Sequence, residues 1–382
     1  MTNMKKSTAA ILLIASPSES PDLVYSSGFW APDPLVYLVT PKMRYLVVSR
    51  LEIGRARTLA ANSKTFPPLE ALTPEDVRVP KTGRGQLDQW ALCLLRHIGL
   101  TRVSVPSDFP HGIAQRLEAR GIRITTSREA LFPQRQVKSA AEIACITESQ
   151  QAAVNAMQAA VTMIGASSIS RSGTLTYKGK TLRSEAVQRC IHHVLLDHNT
   201  VCGDVIVAGG AQGADPHERG SGPLRAHEPI VIDIFPRHMH HGYWGDITRT
   251  VIRGKATPLQ KRMYNAVKAA HRASLKRIAP AVKCSSVHKA SADELDRRGF
   301  ETGLLDGIPV GFIHSTGHGV GLAIHEAPSV SLSEARLKKG NVITIEPGLY
   351  YPATGGFRIE DTVVVTAKGY RQLVSCEKRF EI

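Results

Sequence analysis

The sequence predicts an α+β chain in two parts: a smaller α/β domain over residues 1–132 and an α+β body over residues 133–382. Three observations carry that expectation. At 382 residues the chain is long for one core and comfortable for two. Its first third alternates short apolar runs with polar, helix-like stretches. Its C-terminal part holds two matched strand–turn–strand units among amphipathic helices, each unit carrying two carboxylates.

Taken in order, Lys5-Lys6 and the apolar stretch Ala9 to Ala15 imitate the start of a secretory signal. The stretch is short, and structured-looking sequence continues from Asp22 to Phe29, so it reads as a first strand. Leu35 to Val39 and Tyr45 to Val48 read as strands, and Asp88 to Ile98 as an amphipathic helix. Val103 to Val105 and Ile122 to Thr125 are strands around a helix at Gly112 to Arg120. A junction follows at Phe132-Pro133-Gln134-Arg135. Beyond it Glu142 to Ile164 forms a long helix, with Ile143, Ile146, Ala153, Met157, Val161 and Ile164 close to helical spacing. Further helices are expected at Ser184 to Leu196, Leu259 to Ile278 (ended by Pro280) and near Ser286 to Arg298, with a strand at Val205 to Ala208. Gly179-Lys180-Thr181 lacks the earlier Gly at the spacing a phosphate loop needs, so no nucleotide site is expected there.

Bulk properties exclude several classes. No run is long enough to cross a membrane. The 48 basic and 33 acidic residues give a net charge of +15. They are spread along the chain without a dense tract or aromatic interleaving, which describes a basic solvated surface and not a nucleic-acid site. Six cysteines without Cys-x-x-Cys spacing suit a reducing, cytoplasmic compartment.

The chemistry lies in Asp233, Asp246, His318, Glu346 and Glu360. One unit reads Pro-Ile-Val-Ile-Asp233-Ile and then Gly-Asp246-Ile-Thr-Arg-Thr-Val-Ile. The other reads Asn-Val-Ile-Thr-Ile-Glu346-Pro and then Phe-Arg-Ile-Glu360-Asp-Thr-Val-Val-Val. The Asp pair is thirteen apart and the Glu pair fourteen, across Gly-containing turns, so each hairpin is expected to face its two carboxylates toward one point. Four buried carboxylates without a cation repel one another. Oxygen-rich ligation with one imidazole suits two divalent ions, Mn²⁺ first, with Co²⁺, Fe²⁺ or Zn²⁺ as alternatives. Two such ions would clamp a bridging water for hydrolysis. The block Phe312-Ile-His314-Ser-Thr-Gly317-His318-Gly319-Val-Gly321-Leu-Ala-Ile-His325-Glu326 places three histidines among glycines that permit close backbone approach.

With these residues the C-terminal part, from about residue 135, resembles the pita-bread metallopeptidases, the family of methionine aminopeptidase, Xaa-Pro aminopeptidase and prolidase. The start Arg135-x-x-Lys138-Ser-x-x-Glu142, Pro216-His217, Asp246-x-Thr-Arg-Thr, Glu346-Pro-Gly and Arg358-Ile-Glu360-Asp also match. The first part resembles the creatinase-type N-terminal domain through Asp22-Leu-Val-Tyr-Ser-Ser-Gly28-Phe29, which points to the Xaa-Pro branch. The resemblance implies a pita-bread fold with pseudo-twofold hairpin halves and all five metal-ligand positions filled. It implies that His217 and His325 bind and polarise the scissile carbonyl, and that Glu346 shuttles the proton. His314, Arg358 and Tyr243 are expected at the substrate, with Arg358 and Thr248 also supporting the carboxylate ligands. The implied activity is hydrolysis of Xaa-Pro bonds, as aminopeptidase or dipeptidase, by a homodimer. Two alternatives stay open: a metal-dependent amide hydrolase or aminopeptidase without proline specificity, and a non-catalytic binding protein on this fold.

One stretch departs from the family, whose pattern is Asp-x-Gly with the two Asp eleven apart in number. Here Asp233-Ile-Phe-Pro236-Arg-His238-Met-His240-His241 adds two residues and loses the Gly. The expectation is a conserved metal site beside a reshaped substrate pocket. His238, His240 and His241 read as an exposed histidine-rich turn, with a third metal site as the alternative.

Overall fold

The computed structural model describes residues 10–62 and 67–382. The chain divides into two compact units after Arg135.

In the first unit β1 (Ala10–Ala15) is an interior strand of a six-stranded sheet. It pairs antiparallel with β2 (Leu35–Val39) and parallel with β5 (Arg102–Val105). Beyond β2 lie β3 (Arg44–Val47) and β4 (Leu69–Leu72), and beyond β5 lies β6 (Arg123–Thr126), giving the order 4-3-2-1-5-6. The signal-like run is therefore a core strand, as its sequence context suggested; Lys5 and Lys6 lie outside the described residues. It is apolar throughout because both faces are covered. Leu12 and Ile14 pack with Trp90 and Leu94, whereas Leu13 packs with Leu23 and Phe29 on the other side. The helices are α1 (Pro21–Ser27), α2 (Ile53–Asn62), α3 (Leu87–Ile98) and α4 (His111–Glu118).

The second unit uses one plan twice: two helices, then a carboxylate-bearing hairpin. Its first helix, α5 (Ala140–Gly165), starts at a capping box in which Ser139 and Glu142 satisfy each other's backbone N–H groups. A small meander follows, β7 (Ser168–Ile169), β8 (Leu175–Tyr177) and β9 (Lys180–Thr181). Its tip, Lys178-Gly179, has positive φ at both residues, which marks a two-residue hairpin turn. Of the Gly-Lys-Thr triplet, Gly179 belongs to that turn, and Lys180 and Thr181 form β9. Then come α6 (Ser184–Asp197), β10 (Thr200–Val201), β11 (Ile206–Gly209), β12 (Pro229–Ile234), β13 (Arg237–His238) and β14 (Ile247–Ile252). Strands β11, β12 and β14 form one antiparallel sheet.

The second half opens with α7 (Pro258–Arg277), again on a capping box, Thr257 with Gln260. After α8 (Cys284–Arg297), β15 (Gly303–Leu305) and β16 (Ile308–Val310) form a hairpin. A five-stranded sheet holds β17 (Gly317–Gly319), β18 (Glu326–Val330), β19 (Val342–Ile345), β22 (Asp361–Val365) and β23 (Tyr370–Gln372) in the order 18-17-19-22-23. Between β19 and β22, β20 (Gly348–Tyr351) and β21 (Gly355–Arg358) pair with each other. Among the described residues, no helix is long and apolar enough to cross a membrane.

The registers of the two hairpins differ from the simple expectation. Asp233 on β12 stands opposite Thr248, not Asp246. Asp246 lies two residues beyond the facing position; because side chains alternate, it keeps the same face. In the second hairpin Ile345 faces Asp361, so Glu346 and Glu360 are the next pair outward. Their N–H groups leave the ladder, bonding to Thr316 O at 2.7 Å and Thr248 O at 3.1 Å.

A buried ion pair joins the halves behind these strands. Arg249 and Asp361, each 2% exposed, meet at 2.8 Å. Arg249 also donates to the carbonyls of Thr248, Glu360 and Cys376, while Lys378 and His271 approach Asp361. Removing one member strands the other charge in the core. The Asp361→Ala variant is expected to lose about 3–5 kcal/mol of unfolding free energy by urea denaturation with chelator present. A loss under about 1 kcal/mol would contradict a working ion pair.

Candidate active site

The four carboxylates and His318 line one cavity of about 1080 Å³ within the second unit. Strand β12 supplies Asp233 and β17 supplies His318, while Asp246 immediately precedes β14, Glu346 follows β19 and Glu360 precedes β22. The glycines beside His318 are required. A Cβ on Gly317 would lie 2.0 Å from Thr344 O, and one on Gly319 would lie 2.5 Å from Ala327 O. Strand β17 is thus pressed between β18 and β19, which aims His318 inward.

Distances inside the cluster are those of groups awaiting a common partner. His318 Nε2 lies 3.3 Å from Glu346 Oε1 and 3.6 Å from Asp246 Oδ2. Ligand atoms of Asp246, His318 and Glu360 all fall within 4.8 Å of one another. His318 Nδ1 sits 3.1 Å from Gly319 O, to which it donates, so the Nε2 lone pair faces the carboxylates. Asp233 Oδ1 is buried without a hydrogen-bond partner. Burial, and then the neighbouring carboxylates, drive Asp246 and Glu360 well above the usual carboxylate range. Glu346 is held low: burial opposes its charge, but its bond to His318 outweighs that. An orphaned carboxylate oxygen, an oriented imidazole and mutual repulsion fit a cation between these groups.

The surrounding groups act on the carboxylates. Arg358 donates to Asp233 Oδ2 at 2.7 Å, Thr248 Oγ1 at 3.2 Å and the Tyr350 hydroxyl at 2.8 Å. Thr248 in turn donates to Glu360 Oε2 at 2.8 Å. Thr344, which carried no signal in the sequence, donates to Glu346 Oε1 at 3.3 Å and accepts from the His318 N–H. Arg358 and His314 both reach the cavity wall, yet their polar atoms are occupied. His314 Nδ1 donates to Ser315 O and Nε2 accepts from Tyr350, leaving a ring surface to the cavity. His217 and His325 also line the cavity and are exposed. His325 stands edge-on to His318, with ring centroids 4.3 Å apart. Tyr243, expected at the substrate, is not among the lining residues. It lies in the connection between β13 and β14, and its hydroxyl donates to Glu142.

Of the three histidines in the turn expected to be exposed, only His240 is. His238 is 5% exposed and stacks on His241 with centroids 3.8 Å apart. Both Nε2 atoms point at Glu148, at 3.4 and 3.5 Å. This trio has the residue types of a metal site. Its tautomers are the wrong ones: His238 Nδ1 accepts the N–H of His240, and His241 Nδ1 accepts the N–H of Tyr243. The proton of each neutral ring is then on Nε2, directed at Glu148, the opposite of His318. The trio brings the hairpin tip against α5 through these contacts, and His241 Nε2 is buried without a hydrogen-bond partner.

Residues 144–367 match the family model described as metallopeptidase family M24. A Xaa-Pro dipeptidase of Pyrococcus horikoshii is 28% identical over 382 residues, covering 98% of this chain and 95% of that one. A Xaa-Pro dipeptidase of Pyrococcus furiosus is 40% identical over 177 residues, 46% of this chain and 48% of that one. The crystal structure of the prolidase from Pyrococcus horikoshii superposes with a TM-score of 0.78 at 26% identity, covering 97% of this chain and 95% of that chain. The α+β class and the pita-bread arrangement expected from the sequence are therefore those observed.

Burial, and then the His238 ring, lower His241 to about 4 from the ordinary 6.5. Between those values the unfolded chain takes up a proton that the folded chain refuses, so stability falls as pH drops from about 6.5 to 4. Melting temperatures measured across that range are expected to decline less steeply for His241→Asn, whose Oδ1 still accepts from Tyr243. Parallel declines would contradict the assignment.

Proposed function

Because the chain belongs to metallopeptidase family M24, we propose that it hydrolyses Xaa-Pro peptide bonds at a dinuclear metal centre. That it is a metallopeptidase using divalent ions follows from the family. The observation that carries the finer reading is the set of five inward-facing groups, Asp233, Asp246, His318, Glu346 and Glu360, around one peptide-sized cavity. Likeness to a Xaa-Pro dipeptidase along nearly the whole chain supports the proline preference and a creatinase-type first domain.

These five residues would hold the ions, with Mn²⁺ favoured by one imidazole among carboxylates. Bound divalent ions supply Lewis acidity and lower the pKa of water toward neutrality. His217 and His325, on the cavity wall, orient the scissile carbonyl and stabilise charge developing on its oxygen. Glu346 remains ionised, so it can take a proton from the attacking water and pass it to the leaving prolyl nitrogen. A bond to proline is a tertiary amide without an N–H, and cleavage depends on protonating that nitrogen. Arg358 keeps Asp233 oriented, and Thr248 and Thr344 do the same for Glu360 and Glu346. The reading extends to a homodimer and to a cytoplasmic setting, the latter supported by six free cysteines.

Phe235, from the stretch where the chain departs from its family, lines the cavity. That favours, as a second reading, an amide hydrolase of altered specificity. The test is to assay chelator-treated and Mn²⁺-reloaded protein on a Xaa-Pro dipeptide, a Xaa-Pro-Yaa tripeptide and a proline-free peptide. Hydrolysis is expected only after reloading, on the proline peptides, with Glu346→Ala lowering kcat about 10³-fold. Undiminished activity in chelator or in Glu346→Ala would overturn the mechanism. Equal cleavage of the proline-free peptide would favour the second reading.

A further inference from the structure

Strand β14 pairs with β12 on one side only, so the N–H and C=O groups of its other edge need partners from elsewhere. The edge is met piecemeal. Ile252 exchanges hydrogen bonds with Phe380 and Ile382, and Thr248 O accepts from Glu360 N–H. Asp246 lies beyond the last pair of the β12–β14 ladder, Ile234 with Ile247, in the lengthened part of the hairpin. No strand reaches it. Instead, one side-chain amide does. The Asp246 N–H donates to Gln150 Oε1 at 2.8 Å, and Gln150 Nε2 donates to Asp246 O, also at 2.8 Å. Gln150 reproduces the two-bond exchange of a hydrogen-bonded strand pair.

We propose that Gln150, from α5, is a positioning residue that sets the metal affinity of the site by fixing the main chain of Asp246. Three observations support the assignment beyond the two bonds. Gln150 is 1% exposed, so its amide has no competing water. Gly245 admits the helix at closest range: a Cβ there would lie 2.6 Å from Gln150 N. Thr362 Oγ1 donates to the same Asp246 carbonyl at 2.9 Å, so two side chains aim that peptide. The preceding residue on α5 joins the grip, Ser149 Oγ donating to Tyr243 O at 2.9 Å. A carboxylate whose main chain shifts by a few tenths of an ångström loses its place among ligands fixed by other strands.

The inference rests on Asp246 being a metal ligand, and the experiment separates the two claims. Mn²⁺ affinity is measured by competition against a chromophoric chelator, and the melting temperature in excess chelator is recorded in parallel. The wild type should bind saturably. Gln150→Leu should raise the Mn²⁺ Kd at least tenfold at a temperature where it remains folded. Thr362→Val, which removes one of the two bonds to the carbonyl and keeps the side-chain shape, should raise it about threefold. Gln151→Leu, on the exposed side of the same turn, should leave it unchanged. A merely structural role would lower the chelator melting temperature and leave the Kd where it was, which overturns the proposal. Should Gln150→Leu fail to fold, an unchanged Kd in Thr362→Val overturns it instead. A wild type that binds no Mn²⁺ removes both this proposal and the reading beneath it, whereas a binding wild type with unaffected variants removes only this one.

Discussion

The constraint on which the catalytic unit depends is charge: four carboxylates line one cavity, and two of them are pushed well above their ordinary range by burial and by one another. A fold that brings them together must hold them against repulsion. Much of the second unit can be understood as the means of doing so. Arg358 holds Asp233, Thr248 holds Glu360, Thr344 holds Glu346, and Gln150 with Thr362 holds the main chain of Asp246. Behind them, the Arg249–Asp361 pair ties β14 to β22, and so fixes one hairpin against the other. The site is a set of constrained acids, and a divalent cation is the component that relieves the strain of their charges.

The two hairpins meet this constraint differently. Glu346 and Glu360 form the next pair beyond the regular β19–β22 ladder, which ends at Ile345 and Asp361. Asp233 and Asp246 do not face one another: Asp233 stands opposite Thr248, and Asp246 lies two residues beyond that position. The fold compensates by borrowing from α5, whose residues 148–150 successively meet the histidine pair, Tyr243 O and Asp246.

Local signals were legible in the sequence and long-range ones were not. The apolar run Ala9 to Ala15 could be read as a strand, α5 followed from its helical periodicity, and α7 was expected to end before Pro280. The five inward groups were legible because each sits in a β-branched run with a matched partner. What could not be read was what each group touches. Gln150 meets Asp246 across 96 positions and Arg249 meets Asp361 across 112, with no spacing rule to connect them. Tyr243 and part of the histidine turn are placed by such contacts too: the Tyr243 hydroxyl donates to Glu142, and His238 and His241 face Glu148, whereas His240 is exposed as its sequence suggested. Arg358 and His314 reach the cavity as expected, with their polar atoms already taken by protein partners.

The most direct measurement of the central claim is a calorimetric titration of Mn²⁺ into chelator-stripped protein, counting ions bound per chain. Two ions are expected for the wild type, and fewer for Asp246→Ala and Glu360→Ala. Absence of saturable binding in the wild type, or an unchanged count in both variants, would contradict a site built to be neutralised by metal.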